Sequence, residues 1–223
     1  MKSWRIFAFA DEACSMVDGQ IVAMKRNGLD GIEIRNVDEV NISEITLEKA
    51  REVRKKLDDN GLVVWSIGSP IGKIDIERDD FKEHLETFRH TLEIADILGS
   101  GNLRLFSFYI PSGKNPGDYR NEVLDRLGRF CQIAEGSGIC LCHENEKKIY
   151  GDTAERCRDI FLSLPQIRGV FDPANFVQCG QDTISAWKLL HPYIKYLHIK
   201  DARPDGSVVA AGRGDGNIAA ILD

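Results

Sequence analysis

Seven short apolar runs, each followed by a stretch whose apolar residues keep helical spacing, succeed one another along 223 residues with no linker and no shift in composition. The runs are Arg5 to Ala10, Gly31 to Arg35, Leu62 to Ile67, Leu103 to Phe108, Ile139 to Asn145, Ile167 to Asp172 and Ile194 to Lys200. Between them the sequence predicts helices over residues 15–27, 46–60, 80–98, 119–135, 153–164 and 183–190. In the second of these Leu47, Ala50, Val53 and Leu57 share one face, and Ser43 or Thr46 can cap its start. The tail from Asn217 to Asp223 reads as the first turns of a further amphipathic helix. Regular strand-helix alternation implies a parallel sheet, since parallel neighbours need a crossover long enough to hold a helix. The expectation is one domain over residues 1–223.

Two parallel architectures remain, an open doubly wound sheet and a (β/α)8 TIM barrel. No G-x-G-x-x-G follows the first run and no G-x-x-x-x-G-K-[ST] occurs, so the nucleotide-binding forms of the open sheet lose support. A barrel collects its functional groups at the C-terminal ends of many strands. Here runs two, five, six and seven end on such groups, which favours a barrel whose last strand-helix unit does not appear before Asp223. The loop Gly68 to Gly72 is expected to turn away from the sheet.

Those strand ends carry the chemistry. Alternation along the fifth run puts Cys140, Cys142 and Glu144 on one face and Leu141 and His143 on the other. Glu144 should point into the mouth of the barrel and His143 outward toward the helices. By the same count Asp172 ends the inward face of the sixth run and His198 that of the seventh. Two carboxylates and an imidazole on neighbouring strands, about 4.8 Å apart, can converge on one divalent ion. Each alone has a plainer reading: Glu144 as a cap, Asp172 as the start of a turn before Pro173, His198 as a core imidazole. Their recurrence at three consecutive strand ends, 28 and 26 residues apart, outweighs those separate readings. Glu33 and Arg35, on one face of the second run, suggest a polar cavity. Trp65, Phe9 and Phe106 could floor a substrate pocket, although aromatic residues in strands more often belong to a core.

The runs His143-Glu-Asn-Glu146 with Tyr150-Gly-Asp-Thr153, Phe171-Asp-Pro-Ala-Asn-Phe176 and His198-Ile-Lys-Asp-Ala202 resemble the xylose isomerase-like TIM-barrel superfamily, in its sugar phosphate isomerase/epimerase branch. The resemblance spans the whole chain. It implies one divalent ion (Mn, Mg, Co and Zn are not distinguished) held by four residues, three of them Glu144, Asp172 and His198. The fourth, a glutamate ending strand eight, lies in such proteins beyond a Gly-rich segment like Gly212 to Gly216, and this sequence ends before it. The implied chemistry is isomerisation or epimerisation of a sugar or sugar phosphate next to a carbonyl, through an enediolate. Glu144 and the further glutamate would be base and acid, with Glu33, Asn175 and Lys200 holding hydroxyls or the carbonyl. Arg213 and the N–H groups of its glycine-rich loop are candidates for a phosphate.

Rival readings are a metal-dependent dehydratase of a keto-sugar or cyclic polyol, and a non-catalytic sugar-binding barrel. The multi-zinc endonuclease branch would need histidines that runs three and four lack. A net charge of -6 without a basic run disfavours nucleic acid. No stretch approaches the ~18 apolar residues of a membrane span. Six cysteines, in neither zinc-finger nor disulfide spacing, suggest reduced thiols. Together with an N-terminus that runs directly into the first strand, this points to an unprocessed cytoplasmic protein. A barrel short of one unit exposes the edges of strands one and seven, which predicts poor solubility or an edge covered by a partner chain, as in a homo-oligomer.

Overall fold

The computed structural model describes residues 4–223; Met1 to Ser3, part of the expected lead into the first strand, lie outside the described residues. The strands of the main sheet are β1 (Phe7–Ala8), β2 (Gly31–Ile34), β3 (Val63–Ile67), β4 (Asn102–Leu105), β5 (Cys140–Glu144), β6 (Arg168–Phe171) and β7 (Ile194–Leu197). Their order in the sheet is their order in the chain. The pairs β1–β2, β2–β3, β3–β4, β5–β6 and β6–β7 run parallel. A doubly wound sheet would reverse strand order at a switch point; this sheet advances in one direction, as a barrel sheet does.

The helices are α1 (Val17–Arg26), α2 (Leu47–Asp59), α3 (Phe81–Ile97), α4 (Arg120–Ala134), α5 (Ala154–Ser163), α6 (Pro173–Gln178), α7 (Thr183–Leu190) and α8 (Ile218–Leu222). Among the described residues no helix is long and apolar enough to cross a membrane. Contacts group the chain into two compact units, one comprising the chain up to Ile71, Phe81–Arg104 and Ile133–Cys140, the other Gly72–Asp80, Leu105–Gln132 and Leu141–Asp223.

In the first unit α2 shows how local sequence sets the elements. Thr46 Oγ1 accepts the Lys49 N–H at 3.1 Å, and Ala50, Val53 and Leu57 are fully buried. The outer face carries ion pairs one turn apart, Arg54 with Asp58 and Lys55 with Asp59, a spacing that favours the helix. Helix α1 starts at Val17, two residues past the expected Ser15, because Asp38 Oδ1 takes the Val17 N–H from a neighbouring loop at 2.8 Å. That loop is a small hairpin, Asn36–Val37 against Val40–Asn41, turned by Asp38 and Glu39 at φ 50° and 71°. The segment after β3 does not turn away as expected. Gly68 N–H donates to Ile34 O at 2.7 Å, Ser69 Oγ to Arg104 O at 2.5 Å, and Ile71 is fully buried. Trp65 stacks on Phe7, ring centres 5.1 Å apart.

In the second unit the chain leaves strand geometry after Leu105, three residues before the expected end. Phe108 adopts φ 63°, and its N–H donates to Gly72 O at 3.0 Å. Phe106 is buried with Lys73 Nζ 4.2 Å over its ring, a core position rather than an open sugar floor. A second hairpin pairs Asp201–Ala202 with Val208–Val209.

Gly151 marks the tightest approach near β5. A Cβ there would lie 2.4 Å from His143 Cε1 and 3.1 Å from Ser107 Oγ. Gly151→Ala is expected to cost about 2 kcal/mol or more, lowering the midpoint of thermal unfolding by roughly 4–8 °C. An unshifted melting curve would show that this contact relaxes freely.

Candidate metal centre

Strand β5 sends its last two side chains opposite ways, as alternation requires. His143 goes toward α5: it is fully buried, its ring meets Phe161 edge-on at 6.1 Å, and Nε2 lies 2.9 Å from Ser107 Oγ. Ser107 Oγ also accepts the Gly151 N–H at 2.8 Å. Burial, against the pull of Glu144, pushes the imidazole down to about 3, so His143 is a neutral core group. Glu144 takes the other side.

There Glu144, Asp172 and His198 each offer a ligand atom within 4.8 Å of the others. His198 Nδ1 stands 2.9 Å from Glu144 Oε1. Both acids are buried, at 4% and 1% exposure. Burial first, and the charge of Glu144 second, push the Asp172 carboxyl up to about 6 despite Lys200, His198 and the Asn175 N–H. Two desolvated carboxylates that close together call for a cation. Two hard oxygens and one imidazole nitrogen suit Mg, Mn, Co or Zn. The donor set therefore fits a divalent ion.

Amide side chains hold the acids in place. Asn145 Nδ2 donates to Asp172 O at 3.0 Å and its Oδ1 accepts the Asp172 N–H at 2.9 Å, continuing the ladder between β5 and β6 past the strand ends. Asp172 caps α6, its Oδ1 accepting the Asn175 N–H at 2.9 Å, with Pro173 at the first helical position. Asn175 Nδ2 donates to Asn145 O at 2.9 Å and reaches Glu144 Oε1 at 3.5 Å. Lys200 Nζ binds Asn175 Oδ1 at 2.8 Å and Asp172 Oδ2 at 3.2 Å. The structure thus gathers Glu144, Asp172, His198, Asn175 and Lys200. Asn145 escaped the sequence reading, because alternation turns it off the Glu144 face and its partner is a backbone on another strand.

The other two expected residues are Glu33 and Arg213. Glu33 is buried in β2, in the first unit. Arg213 is exposed, and among the described residues no hydrogen bond joins its side chain to the trio. Its loop does not offer N–H groups to a phosphate. Gly212 and Gly214 donate to Asp201 Oδ2, both at 2.9 Å, and Gly216 donates to Asp201 Oδ1 at 2.8 Å. An internal carboxylate already fills the anion position, so the phosphate expectation for this loop is withdrawn.

A family model described as the xylose isomerase-like TIM barrel matches residues 21–222. The chain belongs to that family. No curated protein matches it in sequence at a significant level. Solved structures of the same fold include the probable 3-DHS dehydratase AsbF of Bacillus anthracis, involved in petrobactin synthesis. It is 19% identical at a TM-score of 0.70, over 90% of this chain and 71% of that one. The 3-keto-D-glucoside 4-epimerase YcjR of E. coli matches at 16% identity and TM-score 0.68, over 89% and 77%. A xylose isomerase-like TIM barrel protein of Mycobacterium smegmatis, solved with magnesium, matches at 16% and 0.73, over 94% and 78%. A 3-keto-D-glucoside epimerase and a probable dehydratase thus stand among the structures that share this fold.

Proposed function

We propose that this xylose isomerase-like chain is a divalent-metal-dependent isomerase or epimerase of a sugar, moving a proton at the carbon next to a carbonyl. The observation that carries the reading is the trio Glu144, Asp172 and His198, two buried acids and a partly buried imidazole with ligand atoms within 4.8 Å of one another. A bound ion would supply a Lewis acid for two adjacent substrate oxygens, stabilising the negative charge that develops on them. Glu144 is the group placed to take the proton from carbon. His198, 2.9 Å from Glu144 Oε1, orients that carboxylate. Asn175 and Lys200 present N–H donors beside it for hydroxyl or carbonyl oxygens. Glu33 stays as a proposed substrate contact resting on the sequence resemblance alone. The six free cysteines support a reducing, cytoplasmic setting.

The test is carbon-bound proton exchange. With Mn2+ or Mg2+ in D2O, the protein should place one deuterium beside the carbonyl of at least one member of a panel of ketoses and their phosphates. A binding protein exchanges none, and a dehydratase would instead release an unsaturated or deoxy product. Silence across the panel would remove the enzymatic reading.

A further inference from the structure

We infer that Lys200 and a divalent ion draw on the same oxygen of Asp172, so that Lys200 holds down the ion affinity of the site while supplying a fixed positive charge beside the reacting carbon. The inference rests on the metal-dependent reading above and adds to it a residue that works against the ion. Asp172 has two oxygens and divides them. Oδ1 is committed to the first turn of α6, where it accepts the Asn175 N–H at 2.9 Å. Oδ2 is left for the trio, and Lys200 Nζ lies 3.2 Å from it.

The second bond of Lys200, 2.8 Å to Asn175 Oδ1, keeps the ammonium at the site even when it yields Oδ2. Exposure points the same way: the Asp172 side chain is 2% exposed and that of Lys200 38%. The acid cannot escape into water, whereas the amine can turn toward solvent without being stranded. An ion drawing on Oδ2 would compete with the 3.2 Å bond from Lys200, while the 2.8 Å bond to Asn175 holds the ammonium nearby. Two cations within a few ångströms repel in a partly buried setting, which lowers ion affinity. An ammonium kept beside the trio by Asn175 would be a donor for an oxygen on which negative charge grows.

These two roles push measurements in opposite directions, which a purely structural lysine would not do. Mn2+ would be titrated into the full chain by calorimetry at pH 8, where carboxylates are ionised, for wild type, Lys200→Met and Lys200→Arg. Unfolding midpoints would be measured beside the titrations. Lys200→Met is expected to bind Mn2+ about tenfold or more tighter, and to lose about a hundredfold in kcat for proton exchange with KM little changed. Lys200→Arg, which keeps the charge, should retain wild-type affinity. Weaker or unchanged Mn2+ binding in Lys200→Met overturns the inference while leaving the metal site standing. A wild-type chain that binds no Mn2+ overturns the metal reading itself, and the inference with it.

Discussion

Glu144→Gln is expected to abolish proton exchange into a ketose substrate, by about a thousandfold or more, while leaving the fold intact. The amide has the shape of the carboxylate, and its carbonyl oxygen can still accept from His198 and Asn175, which now stand 2.9 Å and 3.5 Å from Glu144 Oε1. Two properties disappear together, the basic lone pair and one negative charge of the ligand set. Loss of a general base alone is worth about 10²–10⁴ in rate. His198→Ala separates the two effects, since it removes a ligand and keeps the base. Elemental analysis of protein loaded with Mn2+ and then desalted should find the ion retained by wild type and depleted in both variants. Ion content unchanged in His198→Ala would remove His198 from the ligand set, and with it the one-ion site described above.

The second large effect is predicted for stability. Asp201 is fully buried and collects the N–H groups of Ala202, Gly212, Gly214 and Gly216. Burial pushes its carboxyl up, but the N–H donors of Gly214, Gly216, Ala202 and Gly212 together pull it below the usual carboxylate range. Asp201→Ala strands those donors, and stranded N–H groups cost about 1–3 kcal/mol each where water cannot replace the acceptor. Allowing for water reaching the exposed part of the loop, the loss should be about 3 kcal/mol, or roughly 6–12 °C in the unfolding midpoint. The pH dependence follows from the lowered value. The contribution of Asp201 is fully present above its unfolded value of about 3.9 and fades as pH falls through the lower folded one. Wild type should therefore lose stability relative to Asp201→Ala only below about pH 4. A gap between the two proteins that is already closing at pH 6 would contradict this account.

What the sequence made legible is what depends on period and on neighbours along the chain. Alternation separated Glu144 from the more conspicuous His143, and three strand ends announced the trio before any distance was known. The helix α6 carried a signal that could have been used, an Asp at the capping position followed by Pro173. Other features depend on partners remote in sequence. The early end of β4 comes from Phe108 at φ 63°, a conformation that no bulky residue advertises. Asn145 matters because its amide finds the backbone of Asp172, 27 residues on. Gly212 to Gly216 looked like a ready anion site because glycine-rich turns point N–H groups inward. Only the fold reveals that Asp201 is the anion.

The Asp201 corner and the acidic site differ in what they ask of chain entropy. The corner closes on hydrogen bonds spanning 11, 13 and 15 residues, whereas the contact between Glu144 and His198 spans 54. Joining ends 54 apart rather than 11 apart costs roughly 1.4 kcal/mol more in loop closure. The short closure also tethers the chain just past β7, which carries His198 and Lys200 toward the other strand ends. Loop-closure entropy thus weighs less on the Asp201 corner than on the gathering of Glu144 with His198.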